Sequence, residues 1–149
     1  MKKLIAGLAL VLVSLSAQAK DRLEVYTDYD IGKEIITVTT VKVDANMGDV
    51  YLAGLKESWV KAVTIQKEMG YIKNYRIFAS ELPQSGDFNM LLVVYFDSAA
   101  DLEPNQERYQ AFMKKWGEAN QKRSQEISAK YPEVRTLTGE YRFREIIMK

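Results

Sequence analysis

The segment Phe88–Phe96 constrains the fold of this chain more than any other, because it is apolar on both faces of a strand. Alternate residues of a strand point to opposite sides of a sheet. One side of this segment carries an unbroken apolar row, and on the other side Asn89 is the single polar residue. A strand of this kind requires cover on both faces. The sequence therefore predicts a central strand in a sheet that is covered on both sides.

The segments around this strand predict the order βαββαβ, which is the ferredoxin-like arrangement. Runs of β-branched and apolar residues indicate strands, and apolar residues at three- and four-residue steps indicate helices. The predicted elements are strands Glu34–Val43, Tyr71–Leu82, Phe88–Phe96 and Val134–Met148, and helices Val50–Met69 and Asn105–Lys130. We expect an α+β fold with a four-stranded antiparallel sheet and both helices on one face. We also expect the first and third strands to lie at its centre, parallel to each other and joined by right-handed crossovers.

Two helices cover only one face of such a sheet, so Leu91, Val93 and Tyr95 need another cover. Burying side chains of this size is worth ~1.5–3 kcal/mol each. A second copy packed sheet on sheet would bury them, which predicts a homodimer through the sheet face. The alternative is that an N-terminal arm (20–33) or the long second helix folds over this face.

Residues Met1–Ala19 have the three parts of a cleavable secretory signal peptide. A pair of lysines precedes an apolar stretch that is too short to span a membrane, and Ala-Gln-Ala provides the small residues of a cleavage site. We expect cleavage after Ala19 and a periplasmic or secreted protein without a membrane anchor. The mature chain would consist of the arm (20–33) and one domain (34–149).

Composition excludes several classes of function. The chain has 21 basic and 20 acidic residues, so removing the two signal-peptide lysines leaves 21 − 2 = 19 basic residues and a nearly neutral domain. This balance argues against nucleic-acid binding. The chain has no His and no Cys, which removes the imidazole base, the Ser-His-Asp triad and the usual zinc ligands. No calcium-loop or nucleophile-elbow motif occurs. We therefore expect no metal and no cofactor.

Aromatic side chains with polar tips are frequent in the predicted elements. They either line an apolar pocket between helices and sheet that orients a small organic ligand, or they form an aromatic core. An arginine on the last strand belongs either to an anion site or to the solvated face of an edge strand. The candidate ligand-binding residues are Trp59, Tyr75, Tyr95, Tyr109, Trp116, Tyr141 and Arg142.

Four features carry a resemblance to a known family: the Thr/Val-rich first strand and the segments Leu55–Trp59, Gly70–Phe78 and Leu91–Asp97. With these features, residues 35–148 resemble the dimeric α+β barrel superfamily, which includes antibiotic-biosynthesis-monooxygenase-like and stress-responsive barrel proteins as well as small exported members. The resemblance implies a homodimer whose two sheets face each other. It also implies a pocket between the sheet and the helices of each subunit.

The same resemblance leaves two functions open. In the cofactor-free oxygenases of this group, an indole on the first helix handles the substrate, and Trp59 matches that position. Glu57 and Ser58 stand where the neighbouring amide would be, and the axial His of the haem-using members is absent. The first function is an exported, non-enzymatic homodimer that binds a small apolar or aromatic ligand or a partner protein. The alternative is a cofactor-independent monooxygenase or isomerase acting on a phenolic or quinol substrate.

Overall fold

The computed structural model describes residues 22–82 and 85–149. The predicted signal peptide and its cleavage site lie outside these residues. The helices and strands follow the chain as β1 (Tyr29–Ile31), β2 (Ile35–Val43), α1 (Gly48–Glu57), α2 (Trp59–Glu68), β3 (Asn74–Ala79), β4 (Met90–Phe96), α3 (Gln106–Ser128), β5 (Arg135–Phe143) and β6 (Ile146–Met148). Short 3-10 turns at Ala99–Leu102 and Tyr131–Glu133 flank α3.

Four strands form an antiparallel sheet in the order β3-β4-β2-β5, with α1, α2 and α3 on one face. This confirms the predicted ferredoxin-like α+β fold. The expectation that the two central strands run parallel is wrong, because β2 and β4 pair antiparallel along their whole length. Each helical crossover joins strands that are parallel but separated by one antiparallel neighbour, so no two adjacent strands are parallel.

The face of the sheet toward the helices carries the hydrophobic core. Tyr51 and Leu55 of α1 are almost completely buried against Val41 of β2 and Leu92 of β4. Trp59, Val60, Ile77, Ile127 and Val134 pack around this cluster. The apolar spacing that predicted the helices corresponds to their buried sides at Leu55, Val63 and Trp116, whereas its first members, Leu52 and Tyr109, are exposed.

Both predicted helices are interrupted. Ser58 separates α1 from α2 with φ −118° and ψ −91°, and its Oγ donates to the Gly54 carbonyl at 2.8 Å and lies 2.7 Å from the Tyr131 hydroxyl. A Cβ at Gly54 would lie 3.1 Å from the Tyr131 ring, so glycine allows this close approach. Gly117 interrupts α3 with φ 75°, a conformation that glycine adopts without steric cost.

The predicted last strand divides into two. β5 ends at Phe143, and β6 pairs with β1 in a separate two-stranded ribbon in which Tyr29 lies opposite Met148 and Ile31 opposite Ile146. We call this pair of strands the ribbon. The predicted second and third strands also begin later than expected, at Asn74 and Met90, because turns precede both of them.

A β-bulge divides β5. Val41 lies opposite Leu137 but Thr40 lies opposite Gly139, so Thr138 is an extra residue on β5. The Thr138 hydroxyl donates to Thr40 Oγ1 at 2.8 Å, and Thr40 Oγ1 donates to the Gly139 carbonyl at 3.2 Å. Leu137 therefore shares the helix side with Val41, whereas Gly139 and every second residue after it share the opposite side with Thr40.

Candidate functional site

The side of the sheet opposite the helices, which we call the open face, presents three rows of side chains across the four strands. Residues directly opposite each other on paired strands point to the same side, so the register defines the rows. In the order β3, β4, β2, β5, they are Asn74–Tyr95–Ile36–Phe143, Arg76–Val93–Val38–Tyr141 and Phe78–Leu91–Thr40–Gly139. Most of this surface is apolar or aromatic. Its polar members Asn74 and Arg76 lie on the β3 edge, and Thr40 lies on β2.

The open face is partly exposed. Phe78, Tyr141 and Phe143 are 45%, 51% and 49% exposed. Within residues 22–82 and 85–149, α3 packs against α1 and α2 on the other side of the sheet, and the ribbon makes no substantial contact with the four strands. Of the two alternative covers expected from the sequence, the second helix therefore lies on the other side of the sheet, and β1, the strand within the described part of the arm, does not pack on the open face.

An aromatic row lies along β5 on the open face. A Cβ on Gly139 would be 2.8 Å from Tyr141 Cε2 and 2.9 Å from the Tyr141 hydroxyl, so the Tyr141 ring lies back over Gly139. On its other side Tyr141 stacks on Phe143, with centroids 5.9 Å apart and ring planes 15° apart. The absence of a side chain on Gly139 thus leaves room for the Tyr141 ring beside it. The geometry places two nearly parallel, half-exposed rings next to each other on the open face.

The phenols of Tyr95 and Tyr141 bring hydrogen-bonding groups to this apolar surface. Tyr95 is half-buried between Ile36 and Asn74 on its two neighbouring strands. Tyr141 lies in the middle row opposite Val38. A phenol combines an apolar ring with a group that can donate and accept a hydrogen bond. The open face can therefore pack against apolar groups and orient a polar substituent.

Two other candidate residues lie in the core between helices and sheet. Trp59 of α2 meets Tyr75 of β3 edge to face, with centroids 5.7 Å apart and ring planes at 87°. The Tyr75 hydroxyl lies 3.0 Å from Thr64 Oγ1. The Tyr75 hydroxyl is therefore already paired within the chain.

Trp116 of α3 is a third candidate that lies in the interior, and it is 4% exposed. It stacks on Phe112 at 6.0 Å, and its Nε1 donates to Gln121 at 2.9 Å. Its indole N–H is therefore already paired within the chain.

The remaining candidates lie elsewhere. Tyr109 is 63% exposed on α3 and borders a shallow cleft of about 210 Å³. In that cleft, Arg108 lies 4.4 Å over the Tyr71 ring, donates to the Tyr71 carbonyl and is 3.6 Å from Asp101. Arg142 is exposed on the helix side of β5, opposite Thr37.

The structure thus brings two of the seven candidates, Tyr95 and Tyr141, to one surface, and it does not bring all seven together. Their role in ligand binding stays a prediction.

Several residues at the open face and in the interior were not recognised as candidates from the sequence. Phe78, Phe143 and Gly139 belong to the open face, and the spacing of two between Gly139, Tyr141 and Phe143 is a signal that could have identified the row.

In the interior, Tyr51 lies edge to face with Tyr131, and Arg135 lies 5.0 Å over the Tyr131 ring. Burial raises the pKa of Tyr51, and the nearby Arg135 guanidinium opposes this shift. These contacts hold the 3-10 turn after α3 against α1.

Two other side chains with a shifted pKa belong to ion pairs on the surface. Lys61 hydrogen-bonds Glu57 and lowers the pKa of that carboxyl, and the hydrogen bond to Glu34 raises the pKa of Lys73. The first pair joins α1 to α2, and the second joins the residues that precede β2 and β3. Across the described ranges, His, Cys, Asp and Glu side chains form no group of three that could hold a metal ion. The described helices include none that is both long and apolar enough to cross a membrane.

Comparisons with known proteins give structural likeness alone. No protein-family model and no curated protein matches the sequence. HapK from Hahella chejuensis is similar over 74% of this chain and 91% of its own, at 5% identity and a TM-score of 0.45. Protein SO0527 from Shewanella oneidensis is similar over 80% of this chain and 99% of its own, at 13% identity and a TM-score of 0.47. A dimeric ferredoxin-like protein from an uncultured marine organism is similar over 79% of this chain and 90% of its own, at 12% identity and a TM-score of 0.44. Likeness at this level tells us nothing about what the present chain binds or does.

Proposed function

We propose that this chain is an exported homodimer whose two open faces pack against each other and hold a small aromatic ligand in the seam between them. The observation that carries the proposal is the aromatic row Gly139–Tyr141–Phe143, held half-exposed at the edge of an apolar sheet face. Large apolar patches on a monomeric exported protein favour association. The predicted signal peptide supports the exported location.

The exposed area on the open face is of the size that matters for assembly. Phe78, Tyr141 and Phe143 are each about half exposed, which corresponds to roughly 100 Å² per ring and ~300 Å² per copy. At about 25 cal/mol per Å², burying this area is worth ~7 kcal/mol per copy. Two copies together offset an association cost on the order of 4–15 kcal/mol. Face-to-face pairing is therefore energetically reasonable.

The chemistry of the seam favours an aromatic ligand over a charged one. The Tyr141 and Phe143 rings are nearly parallel, so each copy offers ring faces on which a flat molecule can stack. The Tyr95 and Tyr141 hydroxyls can hydrogen-bond a phenol or carbonyl substituent. Arg76, the charged member of the open face, is on the β3 edge rather than among these rings.

Sedimentation equilibrium on the purified protein tests the dimer. Tyr141→Asp places a charge in the middle row of the open face, and Val50→Asp places the same charge on α1 at a residue of similar exposure, 57%. We expect the wild-type protein and Val50→Asp to be dimers and Tyr141→Asp to be a monomer. A monomeric wild-type protein, or equal behaviour of the two variants, would contradict the open-face interface.

Isothermal titration calorimetry with 1-naphthol tests the ligand. We expect saturable binding at one site per dimer in the wild-type protein and in Val50→Asp. The Tyr141→Asp variant should show none, because it loses both the ring and the second copy. If the wild-type dimer gave no saturable heat with 1-naphthol, the chain would be a dimer without the proposed aromatic site.

A further inference from the structure

The shallow cleft beside the start of α3, which we call the α3 cleft, lies on the helix side of the sheet. Phe96 at the end of β4 lies opposite the buried Ile35 and points to this side. With Tyr109 and Phe112 of α3 it gives the cleft aromatic walls. The volume of about 210 Å³ is below the roughly 300–1,000 Å³ of sites for drug-sized ligands. The α3 cleft is therefore of a size for a small metabolite.

Arg108 brings a positive charge to the α3 cleft and is held in place by Tyr71. Its Nη2 donates to the Tyr71 carbonyl at 3.1 Å, and its guanidinium carbon lies 4.4 Å from the centre of the Tyr71 ring. A guanidinium that is already stacked and hydrogen-bonded loses little further freedom when a ligand binds. Arg108 is thus a preorganised donor for an anionic group.

Asp101 brings a negative charge to the same cleft, and it is also held from its own side. The Ser98 amide donates to Asp101 Oδ2 at 3.1 Å, and the Ser98 hydroxyl donates to the same oxygen at 3.3 Å. The other oxygen, Oδ1, lies 3.6 Å from Arg108 Nη1. Each charged group is therefore positioned by a separate neighbour rather than by the other charge.

The pair formed by Arg108 and Asp101 is less exposed than the other ion pairs within residues 22–82 and 85–149. Both of its side chains are 28% exposed, whereas every other paired side chain is at least 41% exposed. Its separation of 3.6 Å exceeds the roughly 2.7–3.2 Å of a hydrogen bond. Partly desolvated charges that do not hydrogen-bond each other gain little from being paired. Arg108 Nη1 and Asp101 Oδ1 thus both keep the capacity to bond a ligand.

The charges that line the α3 cleft decide which ligand fits it. Glu103 adds a second carboxylate to those of the lining. A ligand with an anionic group alone would be repelled by Asp101 and Glu103, and a ligand with a cationic group alone would be repelled by Arg108. A molecule with an ammonium and a carboxylate group on one carbon atom meets an opposite charge at both. Free α-amino acids have this structure.

We propose that the α3 cleft binds a free α-amino acid with an apolar side chain. Its carboxylate accepts hydrogen bonds from Arg108, and its ammonium group donates to Asp101 and Glu103. The aromatic walls at Phe96, Tyr109 and Phe112 pack on the side chain. The described lining of the cleft shares no residue with the open face, so this site does not depend on the proposed homodimer.

A titration of the wild-type protein with three related molecules, followed by amide NMR, tests the site. L-valine has both charged groups, isobutylamine is valine without the carboxylate, and isovalerate is valine without the ammonium group. All three lack a ring that could stack in the seam between two open faces. We expect L-valine to bind with a dissociation constant on the order of 1 mM, and each analogue to bind at least about tenfold more weakly. Absent valine binding, or equal binding of either analogue, would overturn the proposal.

Two arginine substitutions on α3 test the contact to the carboxylate. Arg108→Gln removes the charge in the cleft, and Arg123→Gln removes an exposed arginine that is 3.9 Å from Glu126 on the same helix. We expect Arg108→Gln to weaken valine binding at least about tenfold, and Arg123→Gln to change it less than about twofold. Equal effects of the two variants would contradict the assignment of Arg108. If Arg108→Gln fails to fold, the three titrations of the wild-type protein still decide the question.

The Tyr141→Asp variant separates the α3 cleft from the open face. It should bind L-valine as the wild-type protein does, whether it is a monomer or a dimer, because Tyr141 lies on the other side of the sheet. The amides that shift on titration should belong to Ser98–Phe112. Loss of valine binding in Tyr141→Asp, or shifts centred on β5, would place valine on the open face and overturn the cleft site. A wild-type protein that is monomeric but binds L-valine at Ser98–Phe112 would refute the homodimer and support the cleft.

Discussion

Replacing Gly139 with alanine should weaken the dimer without unfolding the monomer. The new Cβ would lie 2.8 Å from Tyr141 Cε2 and 3.1 Å from Thr40 Oγ1. The closest atoms belong to the far end of the Tyr141 side chain, which can rotate away, rather than to the backbone. We therefore expect the Tyr141 ring to leave the sheet while the strand stays in place.

The magnitude follows from two opposing effects. In the monomer, alanine stabilises a strand over glycine by about 0.5–1 kcal/mol, and the lost Tyr141–Phe143 stacking costs about 0.5–1.5 kcal/mol. The unfolding free energy of the monomer should thus change by less than about 1 kcal/mol. In the dimer, each Tyr141 buries roughly 100 Å², worth ~2.5 kcal/mol per copy. Both copies lose this burial free energy, and repacking recovers about half of the combined loss. The dissociation constant should therefore rise on the order of 10²-fold.

Sedimentation equilibrium measures the dissociation constant, and urea titration at high dilution measures the unfolding free energy of the monomer. Gly48→Ala is the matched control, because a Cβ at Gly48 meets nothing within 4 Å. That variant should leave the dissociation constant unchanged. An unchanged dissociation constant in Gly139→Ala would refute the placement of Tyr141 in the interface. A monomer destabilised by more than about 2 kcal/mol would show that the backbone takes up the strain.

Three further predictions concern the folded chain. Ser58→Ala leaves the buried Tyr131 hydroxyl without its partner, so urea titration should show a loss of about 1–3 kcal/mol, and adding Tyr131→Phe should cost less than the two single changes combined. Asn105→Ala removes the side chain that caps α3 by accepting a backbone hydrogen bond at 2.9 Å, and should cost about 1 kcal/mol by the same measurement. Burial raises the pKa of Tyr51 above 10.0, against the opposing effect of Arg135, so the folded chain holds that proton more tightly than the unfolded chain. Stability should therefore fall as the pH rises from about 10 through the raised pKa. Tyr51→Phe should flatten this fall in alkaline urea titrations, and an unchanged slope would contradict the assignment.

The order of the elements could be predicted because each is long and strongly periodic. Phe88–Phe96 predicted a central strand apolar on both faces, and β4 has that position and character. A glycine just past the end of a helix typically adopts the left-handed conformation, and Gly70, two residues after α2, has a φ of 71°. These features depend on neighbouring residues, which the sequence displays directly.

The interruptions of the elements could not be predicted, because their causes are distant in the chain. Ser58 departs from the helix where its hydroxyl meets Tyr131, 73 residues away. The ribbon depends on pairing between β1 and β6, two strands of three residues at opposite ends of the described chain. Such short strands carry no periodic signal of their own.

The candidate site was predicted by residue type rather than by location. The sequence identified aromatic side chains with polar tips, and Tyr95 and Tyr141 among them do share a surface. It could not separate these two from Tyr75, which points from β3 toward the helices, because the side to which a strand residue points depends on register. The bulge at Thr138 changes that register within a single strand.

The extra residue at Thr138 decides which side chains of β5 the open face displays. Were β5 to pair with β2 residue for residue beyond Leu137, Thr138 would lie opposite Thr40 and Glu140 opposite Val38. Glu140 and Arg142 would then point to the open face, and Tyr141 and Phe143 to the helices. Deleting Thr138 would instead leave Gly139 opposite Thr40 and both rings where they are. This strand can therefore lose its extra residue and keep its aromatic surface, whereas a slip of one residue would exchange that surface for charged side chains.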